Sequence, residues 1–235
     1  GELLALRPLL FKSFFHRLCI FADVSGRIPA MLNGEPVICH TIRAFQNSPS
    51  VKCIVVVTRR DLIEQIRGIC QQYGLSKVCN VVPGGADRVS SVMLGLDNVP
   101  EKTTHVAVHD GARPLIPISV IEETVRKAFQ TGAAVPAVPV KDTIKAAKAG
   151  IVLSTPDRSE LFAVQTPQVF DFDLLRASLQ KAQKCGWAIT DDSSAVEMMG
   201  MRVHVVNGSD QNVKITTPND LLAAEAYLER GVGQQ

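Results

Sequence analysis

Apolar and β-branched residues form short runs along the chain that alternate with longer amphipathic stretches. The runs that predict strands are residues 53–58, 78–83, 105–109 and 133–140. The stretches that predict helices, from apolar residues at three- and four-residue spacing, are residues 36–46, 61–73, 88–98 and 117–130. This alternation indicates an α/β fold with a doubly wound, mostly parallel sheet, in which ligands bind at the carboxyl ends of the strands.

The alternation stops over residues 141–168, where short apolar segments surround Gly150 and Pro156 and no long helix is predicted. This segment is expected to be a protruding hairpin arm that does not return to the sheet. An arm of this length has to bury its apolar residues on another surface, and a second copy of the chain is the expected partner. The prediction is a homodimer that forms through the arm.

The α/β pattern resumes after the arm. It predicts helices over residues 172–184 and 192–199, strands over residues 202–206 and 212–215, and a final helix from Pro218. Residues 18–22 are predicted to form the first strand. Together these elements indicate a single domain over residues 1–235, with an atypical start at residues 1–30.

Composition and charge limit the possible functions. Of the 235 residues, 46% are hydrophobic and 20% charged, which is ordinary for a globular domain. The formal net charge is only +2 and the charged residues are intermixed, so no nucleic-acid polymer is expected as a partner. No apolar run approaches the about 20 residues that span a bilayer, so no membrane contact is expected.

The six cysteines show no C-x-x-C pair and no metal-like spacing with the five histidines. They are predicted to be reduced, buried thiols in a cytoplasmic protein. Residues 3–22 mix basic and aromatic side chains, but Lys12 and Arg17 interrupt the apolar pattern, so a signal peptide is not predicted.

Two glycines follow the predicted strand at residues 78–83. They are Gly84 and Gly85, and Ser91 lies near the start of the next helix. Paired glycines let the backbone approach a base or a phosphate closely, and a helix start offers free N–H donors. The segment is a candidate nucleotide-binding site, and the alternative is a tight turn without a ligand.

An apolar strand ends at Asp110, and Arg113 follows in a turn that contains Gly111. A carboxylate beside an arginine at a strand end suits a site that holds a divalent metal, sugar hydroxyls and a phosphate together. The alternative is that Asp110 only caps the turn and pairs with Arg113.

Hydroxyl and basic side chains also stand at the predicted ends of later elements. They are Thr143, Arg158, Thr166, Thr190 and Lys214. Each alone has an ordinary explanation as a helix cap, a solvated charge or a lysine at a strand edge. Their combination indicates a site.

Four segments occur together along the chain. They are HDGARP at residues 109–114, QTPQ at residues 165–168, TDDSSA at residues 190–195 and NVKIT at residues 212–216. In sequence and order they resemble the 2-C-methyl-D-erythritol 4-phosphate cytidylyltransferase family of the non-mevalonate isoprenoid pathway, and the likeness runs from about residue 32 to residue 228. The resemblance implies that cytidine 5′-triphosphate (CTP) and a sugar-alcohol phosphate react, with Mg²⁺ present, to give a cytidine diphosphate derivative and pyrophosphate.

The residues agree with this chemistry. A phosphate monoester is already a dianion near neutral pH, because its second pKa is about 6, so no Ser, Cys or His nucleophile is required. The protein instead has to hold two anions together and stabilise the charge that develops as the α-phosphorus is attacked in line. Cationic side chains and N–H donors are therefore expected to dominate the site.

On the nucleotide side, the resemblance places Gly85 and Ser91 in the cytosine pocket, beside Gly84. Ala86 stands where the family often has an aspartate, so one base contact departs from the pattern. Lys214 would act as a catalytic cation that steadies the reacting phosphates.

The resemblance also implies which side chains contact the sugar-alcohol phosphate. They are Asp110, Arg113, Thr143, Arg158, Thr166 and Thr190. Asp110 would also lie near the metal. Thr143 and Arg158 lie on the arm and would reach into the site of the neighbouring subunit, so a homodimer would be part of the active site.

The start of the chain departs from the family pattern. Members open with a strand, a Gly-rich loop of the form A-A-G-x-G-x-R-M and a P-K-Q segment, whose Arg and Lys carry positive charge to the α-phosphate. Residues 21–32 read FADVSGRIPAML, so Gly26 and Arg27 would form a shortened nucleotide-binding loop with Arg27 as a catalytic cation, and Ala30 replaces the lysine. Losing one transition-state cation costs on the order of a thousandfold in rate.

Three explanations of this departure stay open. A frame error or an artificial start would mean that residues 1–30 are not the natural sequence. The chain would otherwise be a nucleotide-binding relative with impaired catalysis, or Arg27 and Lys12 would replace the lost cations from new positions. Ribitol 5-phosphate cytidylyltransferase is the alternative enzyme, because it shares the arm and most of the motifs.

Overall fold

A computed structural model describes the backbone of residues 18–24 and the whole of residues 30–229. The strands are β1 (Leu18–Val24), β2 (Met31–Leu32), β3 (Glu35–Pro36), β4 (Val51–Thr58), β5 (Val78–Pro83), β6 (His105–Asp110), β7 (Ala133–Pro139), β8 (Ala146–Lys148), β9 (Ile151–Ser154), β10 (Phe162–Val164), β11 (Gln168–Asp171) and β12 (His204–Asn207). The α-helices are α1 (Val37–Asn47), α2 (Ile63–Gln72), α3 (Arg88–Leu96), α4 (Ile118–Thr131), α5 (Phe172–Cys185), α6 (Asp192–Met198) and α7 (Pro218–Glu229). Short 3₁₀ turns occupy Arg60–Leu62 and Arg158–Glu160. Among these helices none has both the length and the apolar character needed to cross a bilayer.

A mixed sheet forms the centre of the described chain. Its strand order is β10-β7-β11-β6-β1-β4-β5, and β12 pairs with β7. β1 is parallel to both of its neighbours, β4 and β6, and β5 is parallel to β4. β10 and β11 are antiparallel to the strands beside them. β12 is parallel to β7. The fold is therefore α/β with a mixed sheet, in which β6, β1, β4 and β5 form a continuous parallel part.

Successive residues of β4 contribute to two different buried clusters. Val56 packs in a cluster that includes Ile42 of α1, whereas Val57 packs in one that includes Leu96 of α3. Side chains alternate across a strand, so helices cover β4 on both of its faces. The continuous apolar run at residues 53–58 predicted this strand correctly because both of its faces are buried.

The arm is shorter than the sequence predicts. Residues 141–160 are exposed throughout, and β8 and β9 pair within them as a hairpin. The chain then returns to the sheet, because β10 pairs with the last residues of β7 and residues 165–168 are buried. The expectation that the segment stays away from the sheet up to residue 168 is wrong, because β7 offers a free edge to which residues 162–164 bind.

Residues 212–215 do not form the predicted strand. The N–H of Ile215 donates to the carbonyl of Ala112 at 2.8 Å, and the guanidinium of Arg113 donates to the carbonyl of Asn212 at 2.7 Å. One backbone group of the segment thus binds a side chain instead of a neighbouring strand. The apolar alternation in NVKIT reflects burial beside a loop and not membership of the sheet.

Two cysteines are joined, which corrects the prediction of reduced thiols. Cys53 of β4 and Cys79 of β5 form a disulfide, with their Cα atoms 5.9 Å apart. The register between the two strands shifts after Ile54, and Cys79 lies at that shift. Neighbouring strands therefore bring the two residues within the usual range for a disulfide. The free cysteines of the described chain are Cys39, Cys70 and Cys185.

Candidate active site

The carboxyl ends of four parallel strands lie side by side at one edge of the sheet. β1 ends in register with Thr58 of β4 on one side and with Asp110 of β6 on the other, and Thr58 pairs in turn with Pro83 of β5. Gly84 and Gly85 follow β5 directly. Ligands of open α/β sheets bind outside the carboxyl ends of strands, so this edge is where the candidate residues are expected to meet.

Asp110, Arg113 and Lys214 meet in one ion cluster. Nζ of Lys214 lies 3.0 Å from Oδ2 of Asp110, and Nε of Arg113 lies 3.3 Å from the same oxygen. Lys214 is the accessible member, with 47% of its side chain exposed. The structure thus brings together three residues that are far apart in sequence, and it leaves a cation facing solvent.

Lys214 faces Asp110 because its neighbours are anchored elsewhere. Val213 and Ile215 pack in a small apolar cluster beneath α7. The N–H of Ile215 is bound by the carbonyl of Ala112, in the loop after β6. Because Val213 and Ile215 face this apolar cluster, the side chain of Lys214 between them faces the opposite side, where Asp110 lies.

Electrostatics keep Asp110 ionised. Burial alone would raise the pKa of Asp110, but the charge and hydrogen bond of Lys214, with the charge of Arg113, lower it below its usual value. Burial lowers the pKa of Arg113, and Asp110 opposes this effect. An arginine stays protonated at neutral pH even so. The cluster therefore carries two positive charges and one negative charge, which suits an anionic ligand.

Thr166 and His109 support the backbone of this cluster. Oγ1 of Thr166 accepts the N–H of Asp110 at 3.1 Å and lies 3.0 Å from Nδ1 of His109. Nε2 of His109 lies 3.2 Å from the carbonyl of Arg113. Burial lowers the pKa of His109 to about 4, so the ring is neutral at neutral pH, donating to that carbonyl and accepting from the threonine. The predicted substrate residue Thr166 is thus joined directly to Asp110.

Gln165 and Asn212, which are not among the predicted site residues, connect the segment after β10 to the Lys214 segment. Nδ2 of Asn212 donates to Oε1 of Gln165 at 3.1 Å and to the carbonyl of Thr166 at 2.9 Å. Both amides are buried. Each stands first in one of the quoted motifs, QTPQ and NVKIT. A buried side-chain amide needs hydrogen-bond partners. The presence of an amide in each of these two motifs was the sequence signal that could have indicated their contact.

Gly84 and Gly85 form the turn that leads into α3. The N–H of Gly84 donates to the carbonyl of Thr58 at 2.8 Å, and the N–H of Gly85 donates to Oγ of Ser91 at 3.1 Å. A Cβ at Gly85 would lie 2.4 Å from Cβ of Ser90, so a side chain does not fit there. Gly85 is therefore required by the turn itself, and both glycines are exposed at the edge of the site.

Thr190 lies immediately before the cap of α6. Its N–H donates to Oγ of Ser194 at 3.2 Å, and its side chain is exposed. Asp191, the cap, accepts a hydrogen bond of 2.5 Å from Nε2 of Gln168, which lies in register with Val108 of β6. The structure thus brings the Thr190 loop to the same sheet edge through Gln168 and not through a bond to Asp110.

The arm residues Thr143 and Arg158 are exposed. Nη1 of Arg158 donates to the carbonyl of Lys141 at 2.9 Å. Within residues 30–229 no hydrogen bond or ion pair joins either side chain to Asp110, Arg113 or Lys214. Of the predicted substrate residues, these two are the ones that this chain does not bring to its own cluster.

Two predicted residues, Gly26 and Arg27, lie outside the described residues, and so does Lys12. β1 ends at Val24, between the ends of β4 and β6. The roles assigned to Gly26 and Arg27 remain predictions from the sequence.

Asp110 is the carboxylate of the ion cluster and the expected neighbour of a metal. The described part of the chain contains no group of three or more His, Cys, Asp and Glu side chains that could hold a metal ion. Mg²⁺ is commonly bound by one or two carboxylates together with waters and substrate phosphates. A single carboxylate whose bonds to Lys214 and Arg113 use only Oδ2 fits an ion that the nucleotide itself carries.

The sequence is similar to those of known proteins over most of its length. The model of the 2-C-methyl-D-erythritol 4-phosphate cytidylyltransferase family matches residues 26–230. A protein of that name from Geotalea uraniireducens (strain Rf4) is 43% identical over 211 residues, which are 88% of this chain and 90% of the relative. One from Bacillus licheniformis is 43% identical over 196 residues, 83% of this chain and 84% of the relative.

Solved structures share the fold. The 4-diphosphocytidyl-2C-methyl-D-erythritol synthase of Anaerococcus prevotii DSM 20548 superposes with a TM-score of 0.84 at 29% identity, covering 92% of this chain and 97% of that one. The 2-C-methyl-D-erythritol 4-phosphate cytidylyltransferase of Thermus thermophilus gives a TM-score of 0.76 at 29% identity, over 90% and 98% of the two chains. Sequence, fold and the clustering of the motif residues agree, and the chain belongs to the 2-C-methyl-D-erythritol 4-phosphate cytidylyltransferase family.

Proposed function

We propose that this protein transfers the cytidylyl group of CTP to 2-C-methyl-D-erythritol 4-phosphate and releases pyrophosphate. The observation that carries the proposal is the meeting of Asp110, Arg113 and Lys214 at the carboxyl edge of the sheet, beside the glycine turn after β5. Family membership supplies the substrates. The cluster supplies the cationic surroundings that a reaction between two phosphates needs.

The reaction is a single displacement at phosphorus. A phosphate oxygen of the sugar-alcohol phosphate attacks the α-phosphorus of CTP, and the bond from that phosphorus to the oxygen bridging to the β-phosphorus breaks. Pyrophosphate leaves with the electron pair. Lys214 holds the reacting phosphates, and Asp110, 3.0 Å away, keeps its ammonium group in place. No protein side chain forms a covalent bond, because the attacking phosphate is already anionic.

Asp110, Arg113, Thr166 and Thr190 bind the second substrate in this proposal. Oδ1 of Asp110 takes no part in the bonds to Lys214 and Arg113, so it is available to a sugar hydroxyl. Thr166 holds the backbone of Asp110, which fixes the carboxylate relative to the sheet. These contacts set the orientation of the phosphate that attacks.

Gly84, Gly85 and Ser91 bind the nucleotide in this proposal. The uncovered turn admits the flat cytosine base, and backbone groups of the turn read its edge. Mg²⁺, when bound, supplies positive charge to the phosphate oxygens during the attack. Asp110 is the residue that would lie near it.

The arm completes the site of a second copy in this proposal. Three consecutive apolar side chains of β9 are exposed, namely Ile151, Val152 and Leu153, each by more than half. A two-stranded hairpin alone is marginally stable, so a partner surface has to cover it. A symmetric homodimer covers both arms at once and carries Thr143 and Arg158 into the neighbouring site.

The loop after β1 would add Gly26 at the triphosphate and Arg27 as a second catalytic cation. The end of β1 between β4 and β6 supports this placement, because it directs the following residues to the edge where the other groups meet. The doubly wound sheet fits the helix-covered faces of β4. A cytoplasmic location stays a prediction from the sequence.

The proposal is tested by pyrophosphate release from CTP with two possible acceptors. We expect turnover with 2-C-methyl-D-erythritol 4-phosphate and far less with ribitol 5-phosphate. The reverse preference would identify the ribitol enzyme, which the names of the relatives do not favour. Binding of CTP without turnover at saturating acceptor would instead identify a catalytically impaired relative and contradict the proposal.

A further inference from the structure

Arg88 and Asp192 form an ion pair between the first residues of two helices that border the site. Nη1 of Arg88 lies 2.7 Å from Oδ1 of Asp192, and Nη2 lies 2.5 Å from Oδ2. The Asp192 side chain is completely buried, and about a third of the Arg88 side chain is exposed. Bidentate pairing fixes the angle between two side chains as well as their distance. The pair therefore sets the geometry between the parts of the chain that carry it.

Each partner is the first residue of a helix. Arg88 begins α3 and Asp192 begins α6. The glycine turn that includes Gly85 lies directly before α3, and Thr190 lies directly before the cap of α6. The ion pair thus connects the proposed nucleotide-binding turn to a loop that is proposed to bind the second substrate, across 104 positions of sequence.

Other charges face the same pair. Burial raises the pKa of Asp192, and the charges of Asp191 and Asp110 raise it further, while Arg88 opposes them. Burial lowers the pKa of Arg88, but the charge and hydrogen bonds of Asp192 outweigh this and raise it, with Asp110 and Asp191 contributing. The carboxylates of Asp192, Asp191 and Asp110 thus all stabilise the positive charge of Arg88. Asp110 of the ion cluster is therefore close enough to interact with this pair.

Stability alone does not explain such a pair. The cost of removing two charges from water often exceeds their attraction, and replacing a buried ion pair by apolar residues of similar volume is commonly neutral or stabilising. The two terminal nitrogens of Arg88, Nη1 and Nη2, both bind the Asp192 carboxylate, so the pair fixes the orientation of the guanidinium. The remaining role for the pair is to fix the relative positions of the two helix starts that carry it.

We propose that Arg88 and Asp192 are positioning residues that hold the nucleotide-binding turn and the Thr190 loop at a fixed separation, so that the attacking phosphate meets the α-phosphorus of CTP in line. The proposal rests on the proposed function for the identity of the two substrates. The statement that the pair orders both loops can be tested without measuring turnover.

The kinetic test uses the double variant Arg88→Met with Asp192→Leu, which removes both charges and keeps apolar volume. We expect the melting temperature to stay near that of the unaltered protein, while kcat falls about 100-fold, as misplacement by about 1 Å can cause. The KM for CTP should change much less than kcat. A purely structural pair predicts the opposite, namely full turnover once stability is preserved.

Two further variants sharpen this test. Arg88→Lys keeps the charge but loses the bidentate geometry, so its kcat should lie between those of the unaltered protein and the double variant. Arg126→Met with Glu123→Leu removes a bidentate pair of the same kind that is exposed on α4. This control should leave kcat unchanged.

Hydrogen exchange supplies a measurement that does not depend on activity. In the double variant of Arg88 and Asp192, backbone amides of residues 84–91 and 190–194 should exchange at least several-fold faster, with exchange in α4 unchanged. Turnover and exchange in both loops equal to those of the unaltered protein would overturn the proposal. If the unaltered protein releases no pyrophosphate, the proposed function fails, and exchange alone then decides whether the pair orders the loops.

Discussion

Two regions of this protein carry candidate substrate residues, and they are built in opposite ways. Asp110, Arg113 and Lys214 lie in a cluster whose backbone and side chains are bound by Thr166, His109 and other residues of the same chain. The arm, residues 141–160, is exposed over its whole length and presents uncovered apolar side chains. The first region binds its polar groups within the described chain, whereas the arm leaves its apolar side chains exposed.

We propose that this difference separates the part of the site that one chain holds by itself from the part that a second copy supplies. Asp110 is bound by Lys214, Arg113 and Thr166 of the same chain, which fixes the carboxylate and the cation beside it in place. The arm residues Thr143 and Arg158 are exposed, and within the described chain neither is bonded to the cluster. We expect substitutions in the cluster to affect chemistry directly, and substitutions in the arm to act through assembly.

Lys214→Ala should have the largest effect, because it removes the accessible cation of the cluster. Turnover should fall by on the order of a thousandfold, with the melting temperature nearly unchanged, since the side chain is about half exposed. Steady-state pyrophosphate release measures the first and thermal unfolding the second. Lys52→Ala, at the opposite end of β4, is the matched control and should leave turnover intact. Equal activity of the two variants would remove Lys214 from the mechanism.

Leu153→Glu should break the arm interface and leave the cluster unaltered. A charge on the exposed apolar strand β9 is costly to bury, so the dimer should dissociate, and turnover should fall about 100-fold as the arms leave the neighbouring sites. Sedimentation and pyrophosphate release measure the two effects together. Thr155→Glu adds the same charge at a polar position of the arm and should remain dimeric. A monomeric and fully active Leu153→Glu variant would show that the arm does not complete the site.

Ala30→Lys tests whether the atypical start limits catalysis. It introduces a lysine where the family pattern has one, and we expect turnover to rise about tenfold or more if a missing cation is the limit. Met31→Lys adds the same charge at the neighbouring exposed position and should have no such effect. A rise in neither variant would leave Arg27 or another group as the source of the second positive charge.

His109 should make the cluster region sensitive to acid. The pKa of His109 in the folded protein is about 4, below its ordinary value of 6.5, because burial disfavours the protonated ring. The unfolded chain therefore binds this proton more tightly, and stability present above pH 6.5 is lost as the pH falls toward 4. The loss should approach about 3 kcal/mol, since one pKa unit corresponds to about 1.4 kcal/mol. Unfolding by urea across this range measures it, and the same pH dependence in His109→Gln would rule out this histidine as the cause.

The sequence predicted the strands of the continuous parallel part of the sheet well, because strands such as residues 53–58 are buried on both faces and form continuous apolar runs. It also identified the motif residues of the cluster. It did not predict that residues 162–164 return to β7, since three residues at a free sheet edge carry no distinctive pattern. Residues 212–215 alternate like a strand, yet their backbone partners are a loop carbonyl and the side chain of Arg113.

Long-range pairs were the least predictable features. The disulfide between Cys53 and Cys79 depends on the register of two strands, which local sequence does not set. The ion pair of Arg88 and Asp192 was missed for a related reason. In TDDSSA one aspartate caps a helix, and only the fold shows that the next is buried and needs a cation.

In the proposed dimer one copy supplies the ion cluster and a second supplies the arm, and mixed dimers test this arrangement. Asp110→Ala disables the cluster of its own chain, and Arg158→Ala disables the arm that the chain lends to its neighbour. Each variant alone should be nearly inactive. When the two chains are refolded together, half of the dimers should be mixed with one intact site each, so pyrophosphate release should recover to about a quarter of that of the unaltered protein. Activity no higher than the sum of the separate variants would contradict the shared site.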